Sequence, residues 1–228
     1  MFMLGQIEFL ILLGSLGFFI GNTLLGIANH LMTLKCNEIR SIDVSQFKNP
    51  MRIAGVILFV WIGASYNNTN LEWLAAIWLA IILLTVSYTD MVSMRILNSV
   101  VLIGILGAAF LRMVIHPLPF WNYVCAAVIG FSILFLLSIA TNGGIGGGDM
   151  KLYLFIGLLS GITVTLLSLF LASLFGSFYG IIQRYRGKLM PKQPIPFGPF
   201  IATATIISFL YGEVWLEHIS QQFYVLLM

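Results

Sequence analysis

Charge is scarce in this chain: Asp, Glu, Lys and Arg make up 8% of its 228 residues, while 60% are hydrophobic. An ordinary soluble domain carries about 25% charged residues, so a water-soluble enzyme is excluded and most of the outer surface must face lipid. The net charge of +3 is too small, and its basic residues too one-sided in placement, for nucleic-acid binding. Cysteine is equally sparse. Cys36 and Cys125 can build neither a disulfide framework nor a four-thiolate zinc site, and His30, His116 and His218 are too scattered to hold a metal. No Lys or Arg precedes Lys35 and no small-residue cleavage pattern follows the first apolar run, so that run is expected to be a lasting first span, not a removable signal. At about 20 residues per span the length allows at most about eight or nine passes and leaves no room for a folded domain outside the bilayer.

Apolar runs bounded by charge, Asn, Pro and Gly predict spans near 5–27, 52–67, 71–89, 96–115 and 120–140, a continuous stretch 150–182, and a last span near 198–215. As one helix, 150–182 would reach about 50 Å, against a hydrocarbon thickness of about 30 Å. Both of its ends are basic: Lys151 at one, Arg184, Arg186, Lys188 and Lys192 at the other. Cytoplasmic loops concentrate Lys and Arg, so the two ends belong on one side and the stretch reads as a helical hairpin turning around 160–163. The expected fold is an all-α polytopic membrane protein of about eight transmembrane helices with both termini outside. Lys35, Arg40, Lys48, Arg52 and Arg95 then join the other basic residues on the cytoplasmic face, and Arg112 is the one out of place. Two regions are expected, 1–67 with a basic cytoplasmic loop and a six-helix core over 68–228.

Two carboxylates stand at the edges of apolar spans. Asp90 closes the third, and Asp149 opens the sixth after Gly146-Gly147-Gly148. An out-and-back excursion of two helices returns the chain to the same face between them, so geometry permits a pair. Two carboxyl groups within hydrogen-bond reach share one proton, and such a dyad can activate water with one member and protonate a carbonyl with the other. Each Asp taken alone could equally be an interfacial cap. Five glycines among residues 143–148 cost folding entropy, which fits a close backbone approach or a bend dipping into the bilayer beside a wet cavity; a flexible loop is the plainer alternative. Neither phosphate-binding glycine pattern fits. Pro194-Ile195-Pro196-Phe197-Gly198-Pro199-Phe200 gives a rigid extended entry to the last span, or simple punctuation of a helix start.

Together these features resemble the type IV prepilin peptidases, membrane aspartyl proteases of the G-x-G-D class. Their pattern is an Asp followed by Ile-Pro-Asn, then Gly-x-Gly-Asp with Lys-Leu after it, then Pro-Phe-Gly-Pro at the final helix. Here the chain reads Asp90 with Ile96-Leu97-Asn98, then Gly146-Gly147-Gly148-Asp149-Met150-Lys151-Leu152, then Pro196-Phe197-Gly198-Pro199. The resemblance implies that Asp90 and Asp149 are catalytic, with Gly146, Gly147, Gly148, Lys151, Pro196, Phe197, Gly198 and Pro199 supporting the substrate. Residues 21–32 are similar to a degraded form of the family's N-terminal segment, with Leu25 for Asn and His30 for the basic residue. Longer members follow that segment with paired CxxC motifs and also N-methylate the product with S-adenosylmethionine. The loop 31–50 has only Cys36, so the zinc subsite is absent and methylation rests on the resemblance alone.

The resemblance implies an aspartic endopeptidase of the bacterial inner membrane that removes the leader from prepilin-like proteins at the cytoplasmic face, with no cofactor for proteolysis. Its partners would be substrates with a basic leader ahead of an apolar helix. A proton-coupled transporter or a catalytically silent pilin-assembly protein are the alternatives. Asp90 ends a helix, where the macrodipole disfavours negative charge, and Asp149 begins one, so Asp149 is expected to be the ionised base and Asp90 the protonated acid. Lys151, about 200° around the helix from Asp149, is expected to snorkel rather than join the pair.

Overall fold

The computed structural model describes residues 45–65, 71–187 and 195–227, with Ile11, Gly14, Ser15, Gly17, Phe18, Asn22, Thr23 and Gly26 ahead of them. Most of the first expected span, with His30, Lys35, Cys36, Arg40, Lys188 and Lys192, lies outside these residues. From residue 45 on, the described residues form six successive helices: α1 (Ser45–Ser65), α2 (Glu72–Ser93), α3 (Asn98–Val114), α4 (Phe120–Ala140), α5 (Gly147–Tyr185) and α6 (Gly198–Leu227). No strand occurs among the described residues. The described residues are therefore all-α, and among them four helices are long and apolar enough to cross a bilayer by length and composition: Glu72–Ser93, Phe120–Ala140, Gly147–Tyr185 and Gly198–His218.

α2 is the most enclosed of these four. Ala75, Ala76, Leu79, Ala80, Ile82, Leu83 and Val86 are buried all around it, as expected of a helix with no polar stripe and neighbours on every side. It packs on α1, α3 and α6, while α5 fills the space between α4 and α6. Small residues let these backbones approach, the packing mode that serves where lipid is as apolar as the side chains. At Gly157 a Cβ would fall 2.4 Å from the Ala127 nitrogen.

The 150–182 stretch is a hairpin. Gly161, at φ 82 and ψ 175, breaks α5 within the expected turn. Along the first arm Tyr153 lies beside Gly130 of α4, Gly157 beside Ala126 and Ala127, and Gly161 beside Asn122 and Leu118. Thr165, past the break, lies beside Gly130 again. Residues 153 and 165 would be about 18 Å apart in a straight helix, so the chain has reversed. The Asn122 side-chain oxygen accepts the Ile162 N–H at 3.0 Å, satisfying one of the amides that open the second arm.

At the turn end Arg112 is 2% exposed. Its guanidinium donates to both carboxylate oxygens of Glu72 at 2.6 and 3.1 Å, to the Leu159 carbonyl at 2.7 Å and to the Ile115 carbonyl at 3.1 Å. It also lies 4.7 Å from the centre of the Tyr123 ring. The one basic residue out of place by sequence is thus an internal clamp joining α2, α3, α4 and the α5 turn.

Candidate active site

The end of the bundle opposite that clamp gathers all three sequence features. Asp90 lies one turn before the end of α2, and the helix closes on it: the Met94 N–H donates to the Asp90 carbonyl at 2.8 Å, with Met94 in the left-handed region at φ 50. Its side chain is 7% exposed. Asp90 Oδ2 accepts the Gly198 N–H at 2.7 Å, and the Phe197 amide is directed at the same carboxylate. A Cβ on Gly198 would sit 3.0 Å from both Asp90 Cβ and Oδ2, so glycine is what allows the amide this close. The Pro-Phe-Gly-Pro entry therefore fixes Asp90, and α6 begins on it.

Asp149 stands half-buried in the first turn of α5. Its N–H donates to the Gly146 carbonyl at 3.1 Å, and its carboxylate turns back toward the Gly146 amide, as the acidic N3 residue of a capping box does. It is close enough to Asp90 for the two carboxyls to interact electrostatically. The macrodipole expectation is thereby removed. Asp149 faces the N-terminus of its own helix and Asp90 faces that of α6, so the dipole argument no longer separates an acid from a base.

The glycines divide by role. A Cβ on Gly148 would fall 2.8 Å from Ile96 Cβ, whereas one on Gly147 would meet nothing within 4 Å. Gly143 needs its freedom at φ +85, following Asn142 at φ 52. Leu97, where the resemblance expects Pro, has φ −73 and ψ 117, a backbone that proline's ring would also impose. Lys151 does not turn to the carboxyl pair: its ammonium donates to Asn98 Oδ1 at 3.1 Å. Ile96 and Asn98 thus tie α3 to the start of α5. Both were visible in the sequence pattern, and neither is among the site residues expected from it. Phe197 packs against Gly176 of the second α5 arm and, 6.2 Å between ring centres, against Phe200. Among the described residues no group of three His, Cys, Asp or Glu side chains is placed to hold a metal.

Residues 77–181 match the model of the type IV leader peptidase family. Over that segment the chain is similar to that family. The matched segment contains Asp90, the glycine run and Asp149, and Pro196 to Pro199 lie just beyond it. Over 145 residues the chain is 34% identical to a prepilin leader peptidase/N-methyltransferase of Bacillus subtilis (strain 168), covering 63% of this chain and 58% of that protein. Proteins of the same name match from Pseudomonas putida, 29% identical over 72% of this chain and 59% of the relative, and from Aeromonas salmonicida (strain A449), 28% over 61% and 50%. The chain spans between half and three fifths of the length of these relatives. No solved structure matches it.

Proposed function

We propose that this protein is an aspartic endopeptidase of the bacterial inner membrane that removes the leader from type IV prepilin-like proteins at the cytoplasmic face. The observation that carries the reading is that Asp90 and Asp149, on separate helices, lie within electrostatic range of each other at one end of the bundle, where the Gly198 amide holds Asp90. The two carboxyls act as a pair. One takes a proton from water as the water oxygen attacks the scissile carbonyl carbon, and the other gives its proton to the carbonyl oxygen. Collapse of the tetrahedral species expels the amine, which leaves with a proton from the pair. The leader and the apolar helix then part.

Eight spans with both termini outside put this end on the cytoplasmic side, where Arg95, Lys151, Arg184 and Arg186 also cluster. The first arm of α5, 147–160, is about 21 Å long, shorter than the hydrocarbon thickness of about 30 Å. That length supports a glycine loop recessed from the membrane face, reached through protein and water rather than lipid. Gly147 leaves room there for an extended substrate backbone, Gly146 and Gly148 let Asp149 and Ile96 pack closely beside it, and Pro196, Phe197, Gly198 and Pro199 bound the site on the Asp90 side. N-methylation of the new terminus with S-adenosylmethionine is a secondary part of the proposal, supported by the double name of the relatives.

The test is coexpression with a prepilin-like substrate, following leader removal by mass. Wild type is expected to cleave, and Asp90→Asn and Asp149→Asn to lose about 10²–10⁴-fold in rate. Cleavage surviving both substitutions would overturn the dyad. The mass of the mature N-terminus in the same samples reads methylation.

A further inference from the structure

A cavity of about 420 Å³ opens on the outer flank of the bundle between α1, α2 and α6. Ala54 and Ile57 line one wall, Ser87 and Met91 the second, Pro199 and Thr203 the third. At its upper end it reaches the residues next to the Asp90–Gly198 contact, Met91 and Pro199. At its lower end Trp61 lines it, and the Trp61 Nε1–H donates to the Tyr211 hydroxyl at 2.8 Å. Between Met91 and Leu84, which also lines it, the groove runs about 10 Å down α2. It continues the candidate active site into the depth of the membrane.

One side chain in it is unexplained by the fold. Ser87 is 7% exposed and its Oγ has no hydrogen-bond partner. Thr85, Thr89 and Ser93 on the same helix all donate back to carbonyls of the preceding turn, the usual way a helical hydroxyl is satisfied in lipid. Ser87 forgoes that bond while facing the groove. A lipid acyl chain offers it nothing, and a regular helix of a second copy has its backbone groups already bonded. An unwound peptide has free N–H and C=O groups, which are costly in an apolar medium unless a partner is at hand, and a hydroxyl can serve either.

Resting on the peptidase reading, we infer that the groove receives the apolar segment of the substrate directly after the scissile bond, and that Ser87 holds its first unwound peptide group. Ser87 lies one turn, about 4.5 Å, deeper than Asp90 along α2. That is the side on which the substrate continues into the bilayer. Ser87 is a positioning residue, and the groove sets how the apolar segment is seated.

Two measurements test this. With a purified prepilin-like substrate, Ile57→Trp, which adds bulk at a position 61% exposed, should raise KM about tenfold and leave kcat within about twofold. Ser87→Ala should lower kcat/KM about tenfold and Ser87→Thr should restore most of it. In a background with Cys36 and Cys125 replaced by Ser and Asp149→Asn holding substrate uncut, Ile57→Cys should crosslink to substrate cysteines within about two turns after the cleavage site. Leu106→Cys on α3, 63% exposed, should not. An unchanged KM for Ile57→Trp, equal crosslinking from both positions, or labelling of Ile57→Cys by a photoreactive phospholipid that excess substrate does not reduce would each overturn the groove. The crosslink reads binding without cleavage. Loss of the Asp requirement would therefore sink the peptidase reading, whereas intact Asp dependence with no Ile57 crosslink sinks the groove alone.

Discussion

Gly198 shows how much of the candidate chemistry depends on one missing methyl group. Its N–H reaches Asp90 Oδ2 at 2.7 Å because nothing stands between the two backbones, and a Cβ there would press on Asp90 Cβ and Oδ2 at 3.0 Å. Gly198→Ala should push the carboxylate out of line and lower kcat by about 10- to 100-fold, the order expected for a displacement approaching 1 Å. KM should change little, and steady-state kinetics on a peptide substrate separates the two. The glycines before Asp149 give a sharper contrast. Gly148→Ala must move Ile96, whose Cβ is 2.8 Å from the added atom, whereas Gly147→Ala meets open space. Gly148→Ala should destabilise the protein by about 1–3 kcal/mol, the cost of overpacking, and Gly147→Ala should leave thermal stability near wild type. That difference gives a physical reason for the free middle position in a Gly-x-Gly-Asp pattern.

At the scale of elements, the hairpin in α5 was legible before any coordinates because both ends of an overlong apolar run are basic. The turn falls at Gly161, inside the expected 160–163, in a backbone region open essentially only to glycine. Gly161→Ala should cost about 1–3 kcal/mol, and more if Asn122, whose Oδ1 lies 2.7 Å from the added atom, cannot give way; thermal unfolding in detergent checks it. The helix ends were less legible. α2 runs past Asp90 to Ser93, and α6 runs to Leu227 instead of ending near 215, since periodicity in an apolar run has no marker for where lipid contact stops. The argument behind the acid–base assignment was incomplete for a related reason. It used the dipole of each carboxylate's own helix, while the amide that holds Asp90 comes from 108 residues away. Motif order brought Asp90, Gly148, Asp149 and Gly198 to notice; only packing shows that Ile96 touches Gly148 and that Lys151 belongs to Asn98.

For the whole molecule, Arg112 decides how the charge pattern is to be counted. Orientation follows loop cations that stay solvated on the cytoplasmic side, and a guanidinium 2% exposed, with both Glu72 oxygens and two carbonyls around it, is not one of them. Removing it from the count leaves Arg95, Lys151, Arg184 and Arg186, among the described basic residues, to weigh for the orientation. Breaking the clamp should therefore affect stability and not orientation. Arg112→Gln leaves Glu72 without its partner, and the loss should approach the 3–5 kcal/mol typical of a broken buried pair, lessened because Glu72 is 20% exposed. Arg112→Met combined with Glu72→Leu should recover most of it, since the charge that would be stranded is gone. Reporter fusions read the orientation separately. A periplasm-active phosphatase joined after residue 227 should be active, and one joined within 187–192 inactive, in wild type and in Arg112→Gln alike. An inverted pattern would place the carboxyl pair on the outer face and remove the leader-bearing side of the substrate from its reach.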